Sequence, residues 1–321
     1  MSVLIFVEID NGQVKKTSLE AVAYGAEVAK MTGTTATVLA LGKAEKESLE
    51  ATGHFGATKV LHVSDEKLTH DNSLAYADAL TQAVHQEGSK VIIISKSGLG
   101  DAVAARAAAK LQAGIVSGVV ELPVINGGFS VKRSIYTGKA FSTAELKSEV
   151  KVIVINKNSI EASEGTDSAV IESFSPTFRD SDFLAKVVSV EKASSELSLT
   201  EADIIVSGGR GMKAAENWQP LLDLAKALGA ATGCSKPVSD DNWRPHHEHI
   251  GQTGIKVAPN LYIACGISGA IQHLAGVSGS KCIVVINKDP EAPFFKAATY
   301  GIVGDVFEIL PKLTKAVEAL K

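Results

Sequence analysis

Short runs of consecutive apolar residues alternate with amphipathic stretches along the first half of the chain. Residues 3–8, 35–41, 59–63 and 91–95 are apolar, β-branched runs of strand length, and helical spacing fills the gaps, most clearly over 74–87 and 102–111. Thr17-x-x-Glu20 has the spacing of a capping box. The helix it predicts carries Leu19, Val22, Ala23 and Ala26 on one face and stops at Gly33. Strands that are apolar throughout and separated by helices predict a parallel sheet covered on both faces.

From residue 115 to 155 the texture changes. Residues 116–124, 129–135 and 149–155 predict strands joined at Asn126-Gly127-Gly128 and near Gly138, an antiparallel extension of the sheet. Residues 158–182 are polar and Ser-rich, a short strand is expected at 186–191, and 192–202 reads as a linker. The alternation then restarts. Strands are expected at 203–207, 261–264, 282–286 and 305–309, with helices over 218–228, ending at Gly229, and 313–320. The fold class is α/β with two doubly wound domains: residues 1–191, nucleotide-binding-like, and 203–321, Rossmann-like.

Composition narrows the function classes. The 321 residues are 45% apolar and 21% charged, which excludes disorder, and a net charge of −4 argues against nucleic acid as a partner. Aromatics at 5% do not supply a carbohydrate-stacking surface. No apolar run is long enough to cross a bilayer, so membrane insertion is not expected. The first residues lack a basic n-region and read directly as a strand, and three cysteines form no even framework; both point to a bacterial-type cytoplasm.

Candidate chemistry concentrates in four loops that follow predicted strands of the second domain, the edge where open α/β sheets bind ligands. Ser207-Gly208-Gly209-Arg210-Gly211 offers close backbone approach and one guanidinium, or simply a tight turn with a solvated Arg. Gly251-Gln252-Thr253-Gly254 places two donors between glycines, as a polar turn also would. Gly266-Ile267-Ser268-Gly269-Ala270-Ile271-Gln272-His273 puts a helix start after a strand, where free N–H groups suit a pyrophosphate. His273 either shares that ligand or is a satisfied, half-buried histidine. Asn287-Lys288-Asp289-Pro290, with Asp305, reads as a ribose or adenine contact or as an Asx-turn plus a helix cap. Together the four predict a dinucleotide site.

Two other motifs are discounted. Lys96-Ser97-Gly98-Leu99-Gly100-Asp101 mimics a phosphate loop but lacks the Walker and GxGxxG patterns, and Asp101 as a helix cap accounts for it. His246-His247-Glu248-His249 lacks the i, i+4 histidines of HExxH, so no metal is expected. Cys234, Cys265 and Cys282 read as structural.

Leu261 through Gly276, with Ile286-Asn287-Lys288-Asp289-Pro290-Glu291-Ala292-Pro293 and Tyr300-Gly301-Ile302-Val303-Gly304-Asp305, resembles the signature of the electron transfer flavoprotein alpha subunit. Ser207–Gly211 and Gly251–Gly254 stand in the same order as in that family. The resemblance is dense from about residue 203 onward and architectural before it. It implies one FAD, held mainly by the second domain in a cleft closed by a beta subunit, in a heterodimer. Arg210, Ser235, Lys236, Ile250, Gly251, Gln252, Thr253, Ser268, Gly269, Ala270, Ile271, Gln272, His273, Asn287, Asp305 and Val306 would line it. Thr253 would sit near flavin N5 and His273 near the pyrimidine carbonyl. Ser268 would serve the ribityl and phosphates, and Asn287 and Asp305 the adenosine end. The first domain is implied to hold no nucleotide.

The resemblance further implies a redox carrier rather than an enzyme, with no catalytic residues. It would take electrons from flavin dehydrogenases, such as the acyl-CoA dehydrogenases of fatty acid β-oxidation, and pass them to electron transfer flavoprotein–quinone oxidoreductase. The FAD domain would swing about the linker to meet these partners. One departure stands out: the family commonly has Ser-Arg where this chain has Ser235-Lys236. Lys keeps the charge that favours an anionic reduced ring but loses the planar stacking fork, so the one-electron-reduced flavin is expected to be less stabilised. Composition and strand order alone leave open an NAD-dependent dehydrogenase, a flavin reductase or a nucleotide-sensing module.

Overall fold

Ser2–Val7 is buried at every position, as a strand in a sheet covered on both faces must be. Its side chains alternate between two cores. Val3, Ile5 and Val7 pack with the helix Lys16–Thr32, and Leu4 and Phe6 pack with the helices Ser73–Glu87 and Gly98–Leu111. The computed structural model describes residues 2–138, 140–185, 187–189 and 198–320, and the chain divides into two compact units, residues 1–190 and 191–321.

Among the described residues the sheet of the first unit has nine strands. In spatial order they are Val170–Ser173, Lys59–Val63, Thr35–Leu41, Ser2–Val7, Val91–Ser95, Lys151–Ile155, Gly114–Val119, Ser130–Ile135 and Ala140–Glu145. The first seven are parallel and the last two antiparallel. The expected antiparallel extension is present, but its outer strand is Ala140–Glu145, unforeseen because its face is half exposed and polar. Lys151–Ile155 instead returns to the middle of the parallel sheet, where four of its five residues are buried. The polar segment 158–182 holds the edge strand Val170–Ser173. Of the strand expected at 186–191, residues 187–189 are not in a strand and the rest lie outside the described residues, as do residues 192–197 of the expected linker.

Two expected caps are replaced. The helix Lys16–Thr32 begins at Lys15 with no side-chain cap, and Glu20 instead accepts the amides of Ser159 at 2.6 Å and Ile160 at 3.4 Å. A carboxylate that finds two amides from a distant loop is lost to its own helix start. The helix Gly98–Leu111 is capped by Ser97, whose hydroxyl accepts from the Gly100 amide at 2.7 Å, while Asp101 pairs with Lys96 at 2.8 Å.

The strand order reverses between Ser2–Val7 and Val91–Ser95, and the carboxyl ends of those strands would frame a ligand crevice. Here Glu8 stands in it. The carboxylate is 6% exposed, accepts the Ser97 hydroxyl and is held by Lys15 Nζ at 3.0 Å.

The second unit has five parallel strands in the order Ala231–Cys234, Ile204–Gly208, Leu261–Cys265, Cys282–Asn287 and Tyr300–Val303. Two cores cover its faces, one around Tyr262 and Phe294 and the other around Trp218, Leu221 and Leu310. The strand expected at 305–309 is instead the start of the helix Val306–Glu318, capped by Asp305 through the Phe307 amide at 3.0 Å. Val306, Leu310, Leu313 and Val317 recur with helical spacing and pack on the second of these cores, which decides the matter against a strand.

At the reversal of this sheet the turn after Ile204–Gly208 lies against the turn after Leu261–Cys265. The Gly209 amide donates to the Cys265 carbonyl at 2.9 Å and the Gly211 amide to the Gly266 carbonyl at 3.0 Å. A Cβ on Gly209 would stand 2.4 Å from the Gly266 carbonyl oxygen and 2.8 Å from the Ile267 Cα, backbone atoms that cannot step aside. Gly209→Ala is therefore expected to cost the second unit about 2–3 kcal/mol by overpacking. Urea unfolding followed by Trp218 and Trp243 fluorescence checks this, and an unchanged midpoint would show that the two turns separate freely.

Candidate functional site

All five strands of the second unit are parallel, so their carboxyl ends share one edge, and the chain's predicted site residues gather along it. Arg210 follows Ile204–Gly208, Ser235 and Lys236 follow Ala231–Cys234, and Ser268, Gly269 and Ala270 follow Leu261–Cys265. Asn287 ends its strand, and Asp305 and Val306 come just after Tyr300–Val303. Ile250, Gly251, Gln252 and Thr253 reach the same edge by backbone pairing. The Ile250 amide donates to the Cys234 carbonyl at 2.9 Å, and the Gln252 amide to the Gln272 carbonyl at 2.8 Å.

The glycine-rich turn after Leu261–Cys265 does not run straight into a helix. Gly266 and Gly269 have φ of +62° and +85°, and the helix begins only at Ile271. Phe294 explains part of this path: its amide donates to the Ser268 carbonyl at 3.1 Å, and a Cβ on Gly269 would lie 2.6 Å from its backbone. The outcome is a row of amides, Ser268 through Gln272, that find no backbone acceptor among the described residues. Unpaired amides beside an exposed Ser268 hydroxyl are a donor set for an anion. Arg210, exposed and in no ion pair among the described residues, adds a cation to the same edge. With the exposed polar side chains of Gln252 and Thr253 close by, the donor set fits a dinucleotide such as FAD.

Other members are more committed to the fold. The Asn287 side chain donates to the Ile267 carbonyl at 2.9 Å and accepts the Asp289 amide at 3.0 Å. Asp305 caps its helix and stands 3.8 Å from Lys213 Nζ. The Asx-turn and the cap foreseen as alternatives are thus both present. Lys236 is paired with Asp240 at 2.7 Å, so its charge is partly neutralised within its own short helix.

His273 is 6% exposed, and its Nε2 lies 2.8 Å from the Tyr262 hydroxyl. Burial pushes the Tyr262 ionisation up, so the phenol keeps its proton. Burial and then the neighbouring His249 push the His273 pKa down to about 4, against an upward pull from the Ile250 backbone. A neutral ring whose Nε2 accepts the Tyr262 O–H leaves its proton on Nδ1. Burial pushes the Cys234 and Cys265 thiols up to about 12, which keeps both uncharged, and His246–Glu248 forms only a short turn.

Three contributors escaped the sequence reading. Tyr262 was legible in principle, since a tyrosine in the middle of a buried strand needs a partner for its hydroxyl. Phe294 and the interlock of Gly209 and Gly211 with Gly266 depend on contacts across distant segments, and spacing carries no sign of them.

His273 sets a pH dependence. Its folded pKa of about 4 lies below the ordinary 6.5, so the stability it confers is complete above pH 6.5 and is lost progressively as the pH falls to about 4, about 3 kcal/mol in all. His273→Gln, which preserves an acceptor for Tyr262, is expected to flatten this slope in urea unfolding measured across that range. An unchanged slope would place the proton uptake elsewhere.

Comparison with known proteins bears on the whole chain. The family described as "Electron transfer flavoprotein domain" matches residues 3–178, and "Electron transfer flavoprotein FAD-binding domain" matches residues 198–278. The electron transfer flavoprotein subunit alpha of Bacillus subtilis is 40% identical over 320 residues, covering 99% of this chain and 98% of its own. That of Pseudomonas aeruginosa is 38% identical, covering 99% of this chain and all of its own, and that of Megasphaera elsdenii is 34% identical, covering 99% and 97%. With family matches in both units and relatives aligned end to end, the chain belongs to the electron transfer flavoprotein alpha-subunit family, with FAD as its cofactor and a beta subunit as its partner.

Proposed function

We propose that this chain carries electrons, as the FAD-holding subunit of a heterodimer, from flavin dehydrogenases such as acyl-CoA dehydrogenases to a quinone oxidoreductase of the respiratory chain. The observation that carries the reading is the row of amides from Ser268 to Gln272, without a backbone acceptor among the described residues, on the same carboxyl edge of a five-stranded parallel sheet as Arg210. The bound flavin supplies the redox chemistry, and the protein supplies binding and electrostatics. In this reading Ser268, Gly269, Ala270, Ile271 and Gln272 offer amides to the phosphates, and Arg210 offsets their charge. Ser235, Lys236, Ile250, Gly251, Gln252, Thr253 and His273 face the isoalloxazine and ribityl portions, and Asn287, Asp305 and Val306 the adenosine. A neutral His273 held by Tyr262 orients a ring without exchanging a proton near neutral pH, which suits a carrier rather than an acid–base enzyme.

Residues 1–191 are read as a domain without a nucleotide, joined through 192–202 to the FAD domain 203–321. Glu8 supports this, because a buried carboxylate in the crevice repels the phosphates that crevice would otherwise receive. Among the described residues no helix is long and apolar enough to cross a membrane.

The chain co-purified with its beta subunit is expected to show a flavin absorption spectrum that dithionite bleaches stepwise. A complex that holds NAD, or no flavin, would return the case to a dehydrogenase or a nucleotide-sensing module. Lys236→Arg is expected to raise the potential of the first reduction step, because a guanidinium stacks where an ammonium paired to Asp240 does not. Stepwise potentiometric titration reads the shift, and equal potentials would remove residue 236 from the flavin's electrostatics.

A further inference from the structure

The loop that bears Gln252 and Thr253 is built on one imidazole. His249 is 3% exposed, and the chain folds back over it. The Ile255 amide donates to the His249 carbonyl at 2.8 Å, and the Gly251 amide to the Ile255 carbonyl at 3.2 Å. A Cβ on Gly254 would lie 2.8 Å from the His249 Cγ and Nδ1, and one on Gly251 would lie 3.3 Å from its Nε2. Both glycines of the Gly251–Gly254 turn therefore pack directly on the ring. Nδ1 is buried without a hydrogen-bond partner among the described residues.

The charges around this ring are unfavourable to a second proton. His246 faces it with ring centroids 5.7 Å apart, and Lys236 acts on it from the short helix Lys236–Asp240. His273 lies beside it on the helix Ile271–Val277, where its own burial keeps it neutral and it adds no charge. Asp240 is the acid that acts on it, and Lys236 already engages that carboxylate at 2.7 Å. The neighbouring Glu248 is likewise committed, to Arg244.

We propose that His249 is a positioning residue of the FAD site, its neutral imidazole supporting the Gly251–Gly254 turn, and that protonating it displaces the turn and weakens cofactor binding. The proposal rests on the reading that Gln252 and Thr253 contact FAD. Burial first, then His246 and Lys236, hold the His249 pKa below its ordinary 6.5. A proton therefore binds better to the state in which the turn has lifted and the ring is wet. Acid favours that state, and the loss of affinity sets in as the pH falls below 6.5.

The test is FAD binding by the complex of the full chain with its beta subunit, followed by flavin fluorescence between about pH 7.5 and 5. The wild-type dissociation constant is expected to rise by up to about tenfold per pH unit below the transition. His249→Gln, uncharged throughout, is expected to lose most of that dependence whatever its affinity at pH 7.5. His246→Gln removes a neighbouring imidazole that acts on His249 and is expected to shift the transition, a readout that a purely structural role would not move. An independent measurement needs no variant: the Cε1 deuterium-exchange pKa of His249 should be lower in the FAD-loaded complex than in the stripped one. Equal pH profiles for wild type and His249→Gln, or equal His249 pKa values with and without FAD, overturn the proposal while leaving the FAD site standing. A complex that binds no FAD at any pH overturns both.

Discussion

The architecture of the second unit depends on backbone meeting backbone where its strand order reverses. Gly209 and Gly211 lie against Gly266 so closely that a single methyl group on Gly209 would stand 2.4 Å from a carbonyl oxygen. This contact joins the turns that follow two neighbouring strands and fixes the direction in which the chain leaves Leu261–Cys265. From there Gly269, pressed against Phe294, holds the backbone away from helical geometry until Ile271. The unpaired amides are a consequence of that path. Had the helix begun at Gly266, those amides would sit in its first turns and only some would remain free.

The two units handle the same feature in opposite ways. Each has a parallel sheet with a reversal, and each reversal opens a crevice that favours negative charge. In the first unit the chain fills it with its own anion, Glu8, tied to Ser97 and Lys15. In the second the amides of Ser268 to Gln272 find no backbone acceptor among the described residues, and Arg210, Gln252 and Thr253 are exposed on the same edge. The buried Glu8 carboxylate, paired to Lys15, is the feature that sets the first crevice apart from the second.

Burial sets the protonation states beneath the second edge. Tyr262 keeps its proton, His273 stays neutral, and Cys234 and Cys265 remain thiols, all because each charged form would be stranded away from water. His249 belongs to the same layer, with His246, Lys236 and Asp240 acting on it.

The sequence by itself determined the fold class, most of the strands and the loops that carry the candidate site. Apolar period and glycine placement are local signals, and residues 59–63 and 91–95 and the glycines after 203–207 and 261–264 express them directly. The family signature added the cofactor. Only the tertiary structure decided that Lys151–Ile155 lies within the parallel sheet, that Glu20 serves a loop rather than its own helix, and that Asp305 begins a helix. It alone placed Tyr262 against His273 and Glu8 in the first crevice. Each of these turns on a partner many residues distant, and a free energy of contact between remote segments leaves no periodic trace in the chain that makes it.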